Sequence, residues 1–281
     1  MRKTTTLLFI AIALLLNVPA LCAEAEEEAK NWSDTAEFSF VATDGNSESM
    51  SLGFKNTAIR EWEKASLTIR AGGIRVETTT FTRTAVDGVV TEDKDSETTA
   101  ENYYLNGRYD RQVHDRLFWY AGAGWDRNEF AGIKNRYVVE SGVGNVWRDT
   151  DDLKFKTTYG LTFTDQEDVV ENPTVDETFL GARVSWDYMN KLGANTTFTN
   201  VLVLDENLDE TSDWRADMLN GLAVAMNDHL ALKLGLRLLY DNEPSLELVP
   251  NVDGTGAPLA PVPYELEELD TILTISLVAD F

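Results

Sequence analysis

Charged side chains stand at alternate positions of segments whose other positions are apolar: Arg70, Arg108, Arg136, Glu140, Lys154, Lys156, Arg183, Asp187, Arg215, Asp217, Lys233, Arg237 and Asp270. From 230 to 241, for instance, Leu230, Leu232, Leu234, Leu236, Leu238 and Tyr240 alternate with Lys233, Gly235, Arg237 and Asp241. A period of two puts the charges on one face of a strand and the leucines on the other. Charges of both signs on one face have two uses. Around a water-filled passage they select ions. Brought into contact, they neutralise one another and fill the interior of a small barrel. Both readings remain open from the residues alone.

The elements that must carry these residues are strands. Alternation marks twelve segments, 34 to 43, 48 to 57, 64 to 80, 98 to 110, 117 to 127, 133 to 148, 153 to 165, 177 to 188, 195 to 205, 213 to 225, 230 to 240 and 266 to 281. Each has about the ten residues that a tilted strand needs to cross a bilayer, whereas soluble sandwich strands run nearer five or six, roughly. The last segment, Thr271 to Phe281, alternates until the chain stops, with Thr271, Leu273, Ile275, Leu277, Ala279 and Phe281 on one face. These features predict an all-β fold, a single up-and-down antiparallel transmembrane β-barrel of about twelve strands over 34 to 281.

The connections alternate in length. Short ones fall near 58 to 63, 111 to 116, 149 to 152, 189 to 194 and 226 to 229. Among the others are the long segments 81 to 97, 166 to 176 and 241 to 265. Barrels of the outer membrane have short periplasmic turns and long outer loops, so both termini fall in the periplasm. Tryptophans and tyrosines near strand ends read as interfacial girdles, with Trp62, Trp147, Trp186 and Tyr188 on the periplasmic side and Trp125, Trp214 and Tyr240 on the outer side.

Residues 1 to 23 have the parts of a secretory signal: Arg2 and Lys3, the apolar run Leu7 to Leu16, and the small-residue end Pro19 to Ala23. Cleavage is expected after Ala23 or Ala25, leaving 24 to 33 as a short periplasmic segment. Bulky Leu21 disfavours Cys22 as an acylated first residue. With Cys22 removed, neither a disulfide nor a thiolate metal site is available. Loss of Arg2 and Lys3 takes the net charge from −24 to −26, which argues against nucleic acid as a partner.

The outer connections are nearly uniform in sign. Asp165 to Glu177 holds six acids, Asp205 to Asp213 five and Asp241 to Asp270 eight, with no Lys or Arg among them. A negative mouth raises the local cation concentration, an effect screened within about 8 Å at physiological salt. Such a rim could also bind divalent cations through carboxylate oxygen and so contact lipopolysaccharide, or it could simply keep the rim soluble. No twelve-residue calcium loop of the usual spacing is present.

Catalytic patterns are sparse. Hydrolysis by nucleophile and base needs a serine with a histidine, and the only histidines, His114 and His229, fall in expected turns. Neither a Walker-type glycine loop nor a His-x-x-Glu-His pattern occurs, and no cofactor is indicated. Carboxylate-only chemistry at so acidic a rim keeps an outer-membrane hydrolase as the third reading.

Taken in order, the opening Trp32 and first strand, the hairpin Thr43 to Asn46, the stretch Tyr120 to Phe130, the segment Arg136 to Gly144 and the terminal Asp280 and Phe281 resemble a known outer-membrane family. It is domain of unknown function 481, often labelled salt-induced outer membrane protein. The resemblance implies a barrel in the outer membrane and, through the label alone, a link to ionic conditions. It implies little about activity.

The leading expectation is a non-enzymatic, cation-favouring diffusion channel of the bacterial outer membrane. The alternative is a closed structural barrel whose acidic loops meet lipopolysaccharide, through divalent cations, or another partner. Either would be inserted by the barrel assembly machinery, with Phe281 and the last strand as its signal.

Overall fold

The computed structural model describes residues 31–43, 48–86, 89–171 and 176–280. The expected signal with Cys22, the hairpin tip 44 to 47 and Phe281 lie outside the described residues. Within them, strands β1 (Trp32–Thr43), β2 (Glu48–Trp62), β3 (Ala65–Val86), β4 (Val89–His114), β5 (Leu117–Asn128), β6 (Ile133–Asp149) and β7 (Leu153–Asp168) follow one another. The remainder are β8 (Thr178–Lys191), β9 (Thr196–Asn207), β10 (Trp214–Ala225), β11 (Leu230–Asp241), β12 (Leu246–Val252), β13 (Pro258–Glu265) and β14 (Leu269–Asp280).

All except β12 and β13 form one closed antiparallel sheet, each strand beside its neighbours in sequence, with β11 beside β14 and β14 beside β1. Twelve strands therefore make the barrel, as the alternation predicts. The closing pair runs from Thr35↔Asp280 to Phe38↔Leu277, and the Thr35 hydroxyl donates to Asp280 Oδ1 at 2.7 Å across the seam. Closure removes the edge that an open sheet would leave unpaired.

Short polar residues tie the tight turns. Asn227 Oδ1 accepts from the amides of His229 and Leu230, and Thr150 Oγ1 accepts from Leu153 N. Such side chains mimic a backbone turn and set its length.

Two segments expected as loops are strands. Residues 81 to 86 continue β3 and 89 to 97 belong to β4, paired from Ala65↔Arg111 to Val86↔Val89 with one bulge at Val76/Glu77. This hairpin runs past the last barrel partners, Thr79 on the β2 side and Asn102 on the β5 side. Its threonines and valines favour extended backbone, but no apolar face recurs there, so the alternation had no signal. Within 241 to 265, β12 and β13 pair as a separate two-stranded sheet. At its tip Asp253 Oδ1 accepts from Thr255 N and Ala257 N and from the Thr255 hydroxyl. These bonds hold its carboxyl below the usual carboxylate range.

Large apolar side chains face outward and are exposed, as at Leu161, Leu180, Leu273, Ile275 and Leu277. Aromatic residues cluster towards the two ends of this band. Trp62, Tyr109 and Trp119 meet in series at 6.3 and 5.7 Å on the periplasmic side, and Trp214 lies 4.7 Å from Tyr240 at the other.

The inner face of β5 to β8 is packed. Tyr120 is fully buried, with its ring laid over two inward-facing glycines, Gly142 and Gly160. A Cβ at Gly142 would collide with the Tyr159 carbonyl and stand 2.9 Å from the Tyr120 ring. Gly142→Ala is therefore expected to destabilise the barrel by about 1–3 kcal/mol, whereas Gly107→Ala, whose Cβ meets nothing within 4 Å, should leave stability nearly unchanged. Denaturant unfolding from lipid vesicles measures both. A second outcome concerns the hairpin tip. Asp253→Ala should speed hydrogen exchange at Thr255 and Ala257. Because the Asp253 carboxyl is held low, its contribution is full above about pH 4 and is lost only as pH falls through the depressed value.

Candidate functional site

Every charge singled out from the sequence lies at an inward position of its strand, and most are joined in pairs. Arg136 on β6 faces Asp126 on β5 through two parallel bonds of 3.0 Å. Arg237 on β11 grips Asp217 on β10 in the same forked way, at 3.0 and 2.7 Å. Arg183 on β8 donates to both oxygens of Asp205 on β9, at 2.6 and 2.9 Å, and reaches across β7 to Glu140 on β6 at 2.9 Å. Such bidentate, charge-assisted contacts are about twice as strong as neutral hydrogen bonds.

Arg215 makes the longest reach. Its guanidinium contacts Asp213 and Asp241, both at 3.2 Å, and donates to Gln166 Oε1 on β7, two strands beyond β9, at 2.9 Å. Asp213 is buried and also accepts from Asn207. Arg108 donates to Asp110 at 2.7 Å and lies 3.8 Å above the Tyr120 ring, so the packed aromatic and the ion pairs form one wall.

The lysines sit nearer the periplasmic ends of their strands. Lys156 is 3.6 Å from Asp187 and Lys154 is 4.0 Å from Asp149, all with wet side chains; exposed pairs of this kind contribute at most about 1 kcal/mol. Lys55 on β2 and Lys233 on β11 converge on one carboxylate, Glu37 on β1, at 3.1 and 2.9 Å. Arg70, on β3, is exposed and has no ion pair among the described residues, and neither has Asp270 on β14.

Among the partners, Glu140, Asp187 and Asp217 are legible in the sequence by alternation, whereas the cation Lys55 and several other carboxylates are not among the charges named from it. Glu37, Asp110 and Asp126 were not singled out, although each is inward by parity. Asp205, Asp213 and Asp241 were counted with the acidic loops; they turn inward and are neutralised by Arg183 and Arg215. Glu167, also counted there, pairs with Lys134. Beyond them Glu171, Asp176, Glu177, Asp209 and Glu210 remain exposed at the outer rim, so the rim is acidic while the periplasmic half of the interior carries the lysines. Among the described residues no three His, Cys, Asp or Glu side chains converge to hold a metal. His114 ends β4, and His229 lies in the turn before β11, where its carbonyl accepts from Asp280 N.

A closed antiparallel barrel with an apolar outer band, aromatic girdles and paired charges inside defines a transmembrane barrel of the outer-membrane class. The chain belongs to the family described as "Protein of unknown function, DUF481", which matches residues 36–255. Similar solved structures are also outer-membrane barrels. The NanC porin is 10% identical with a TM-score of 0.45, over 88% of this chain and 98% of that one. The KdgM porin, in complex with disordered oligogalacturonate, is 8% identical with a TM-score of 0.43, over 89% and 99%. An anion-selective porin from Comamonas acidovorans is 9% identical with a TM-score of 0.38, over 89% and 98%. No curated protein matches the sequence.

Removing the hub of the paired wall should be costly. Arg183→Met leaves Glu140 and Asp205 without their cation and is expected to lower unfolding stability by about 3 kcal/mol. Adding Glu140→Gln and Asp205→Asn to that variant should restore most of the loss, measured by the same vesicle unfolding.

Proposed function

We propose that the protein is a non-enzymatic diffusion channel of the bacterial outer membrane for small solutes, with an outer mouth that favours cations. One observation carries this reading. Arg70 and Asn106 are register partners on the inner faces of β3 and β4, yet both are exposed. A packed interior would bury them, so water reaches the middle of the barrel along this wall. The packed Tyr120 wall begins on the next strand, β5, which pairs with β4.

The acidic rim supplies the selectivity. Its carboxylates concentrate cations at the mouth and oppose anion entry, most strongly at low salt. A role in envelope or ionic-stress physiology fits that arrangement, though the stress link rests on the family label alone. Export through the periplasm and insertion by the assembly machinery are part of this reading, supported by the apolar run Leu7 to Leu16 and by the alternation along β14.

In a planar bilayer under a KCl gradient, the refolded mature chain should give discrete current steps with a cation-selective reversal potential. Neutralising Glu171, Asp176, Glu177, Asp209 and Glu210 to Gln or Asn should move that potential towards zero. Silence from a folded barrel would favour the closed structural reading, in which the rim meets lipopolysaccharide through divalent cations. Insertion has its own test: Phe281→Ala should reduce the yield of heat-modifiable barrel in cells, and an unchanged yield would remove Phe281 as the signal.

A further inference from the structure

Arg183 and Arg215 each face two carboxylates inside the barrel; around Glu37 the excess is of the other sign. On the wall formed by β11, β14, β1, β2 and β3, Glu37 is shared by two lysines, and the further carboxylate of this wall, Asp270 near the outer end of β14, pairs with none of its cations. Lys233 Nζ lies 2.9 and 3.1 Å from the two Glu37 oxygens, and Lys55 Nζ lies 3.1 Å from Glu37 Oε1. Arg70 completes the group. On the β2–β3 ladder Lys55 faces Gly72 and Thr57 faces Arg70, so Lys55 and Arg70 are diagonal neighbours on the inner face, about 7–8 Å apart with their Cβ atoms somewhat closer.

Nearby charges do not cancel the excess. The Arg237–Asp217 pair is internally neutral, and Tyr104, whose ring lies against the Gly72 position, adds a hydroxyl and no charge at neutral pH. No other carboxylate is within ion-pair distance of Lys55, Arg70 or Lys233 among the described residues. An exposed arginine is ordinary on an outer surface. Here it projects into the lumen beside two ammonium groups that must share one counter-charge, an arrangement that repels itself unless an anion arrives.

We propose that Lys55, Arg70 and Lys233 form a binding site for small carboxylate-bearing solutes on the lumen wall. Glu37 shows the geometry: a carboxylate already bridges the two lysines. A solute carboxylate would enter between Lys55 and Arg70, taking the guanidinium by its planar fork and the ammonium as a point charge. A second carboxylate on the same solute would gain most, since Lys233 stands on the far side of Glu37. The site runs from mid-barrel, where Lys55 is the eighth of the 15 residues of β2, into the periplasmic half, where Lys233 is the fourth residue of β11, below the acidic rim. The channel thus has a cation-attracting entrance and an anion-holding interior in series.

This inference rests on the channel reading for its consequence, a carboxylate held in the current path, but not for the binding itself. The test uses citrate on the refolded full mature chain, both by calorimetry in detergent and by single-channel recording. Citrate should bind and should interrupt the current in a concentration-dependent way. Arg70→Gln and Lys55→Gln should each weaken both effects at least tenfold, with Arg70→Lys recovering part of the loss. Glu37→Gln should tighten binding several-fold, because it removes the competing carboxylate; a residue serving only the fold would not act in that direction. Heat-modifiability confirms that each variant is folded.

The two readings fail separately. A conducting channel that citrate neither binds nor blocks overturns the site and leaves the channel. A silent barrel that binds citrate, with the expected variant effects, keeps the site and overturns the channel. Equal block by inorganic phosphate at the same concentration would overturn the carboxylate preference.

Discussion

Inside hydrocarbon there is no water to satisfy a backbone N–H or C=O, so a sheet that spans a membrane must leave no edge. The rest of this structure depends on that constraint. The chain meets it by pairing β1 with β14, which brings residues near the two ends of the barrel together at Thr35 and Asp280. Once the sheet is closed, alternation divides every strand between two solvents. The outer face takes Leu161, Leu180, Leu273 and Ile275; the inner face takes the charges.

The interior then has a problem of its own, since charges withdrawn from water need partners. Most find them across one or more strands: Arg136 with Asp126, Arg237 with Asp217, Arg183 with Glu140 and Asp205. Glycines make the packed wall feasible, because only at Gly142 and Gly160 can the Tyr120 ring lie flat against neighbouring strands. The interior is thus asymmetric. Around β5 to β8 it is knit by arginine and tyrosine, while Arg70 and Asn106 on β3 and β4 are exposed, and the proposed passage and recognition site would lie along these two residues.

How much of this was legible in the sequence follows from which signals are local. Strand positions were readable because period-two alternation is local, and Leu230 to Asp241 shows it plainly. The inward charges were readable by parity alone. The upper halves of β3 and β4 were not, since 81 to 97 has no apolar face to alternate, and the proline-containing hairpin of β12 and β13 resembled a loop for the same reason. Pairings were hidden because they depend on register and closure. Nothing near Arg215 in the chain points to Gln166, and nothing near Lys233 points to Glu37. Asp205 and Asp213 end or begin the expected strands 195 to 205 and 213 to 225, and Asp241 follows 230 to 240, so their inward turn depends on contacts with Arg183 and Arg215 and not on local alternation.

The central claim is a membrane-spanning barrel whose interior is wet along the β3–β4 wall. Cysteine accessibility tests it most directly, in a chain produced from Glu24 onward so that Cys22 is left out. In lipid vesicles, Arg70→Cys and Asn106→Cys should react quickly with a membrane-impermeant charged thiol reagent, while their outward neighbours Ile69→Cys and Leu105→Cys should be protected by lipid. Reaction at Ile69→Cys and Leu105→Cys with protection at the inner pair would contradict the claim, because water would then lie outside the barrel and not within it.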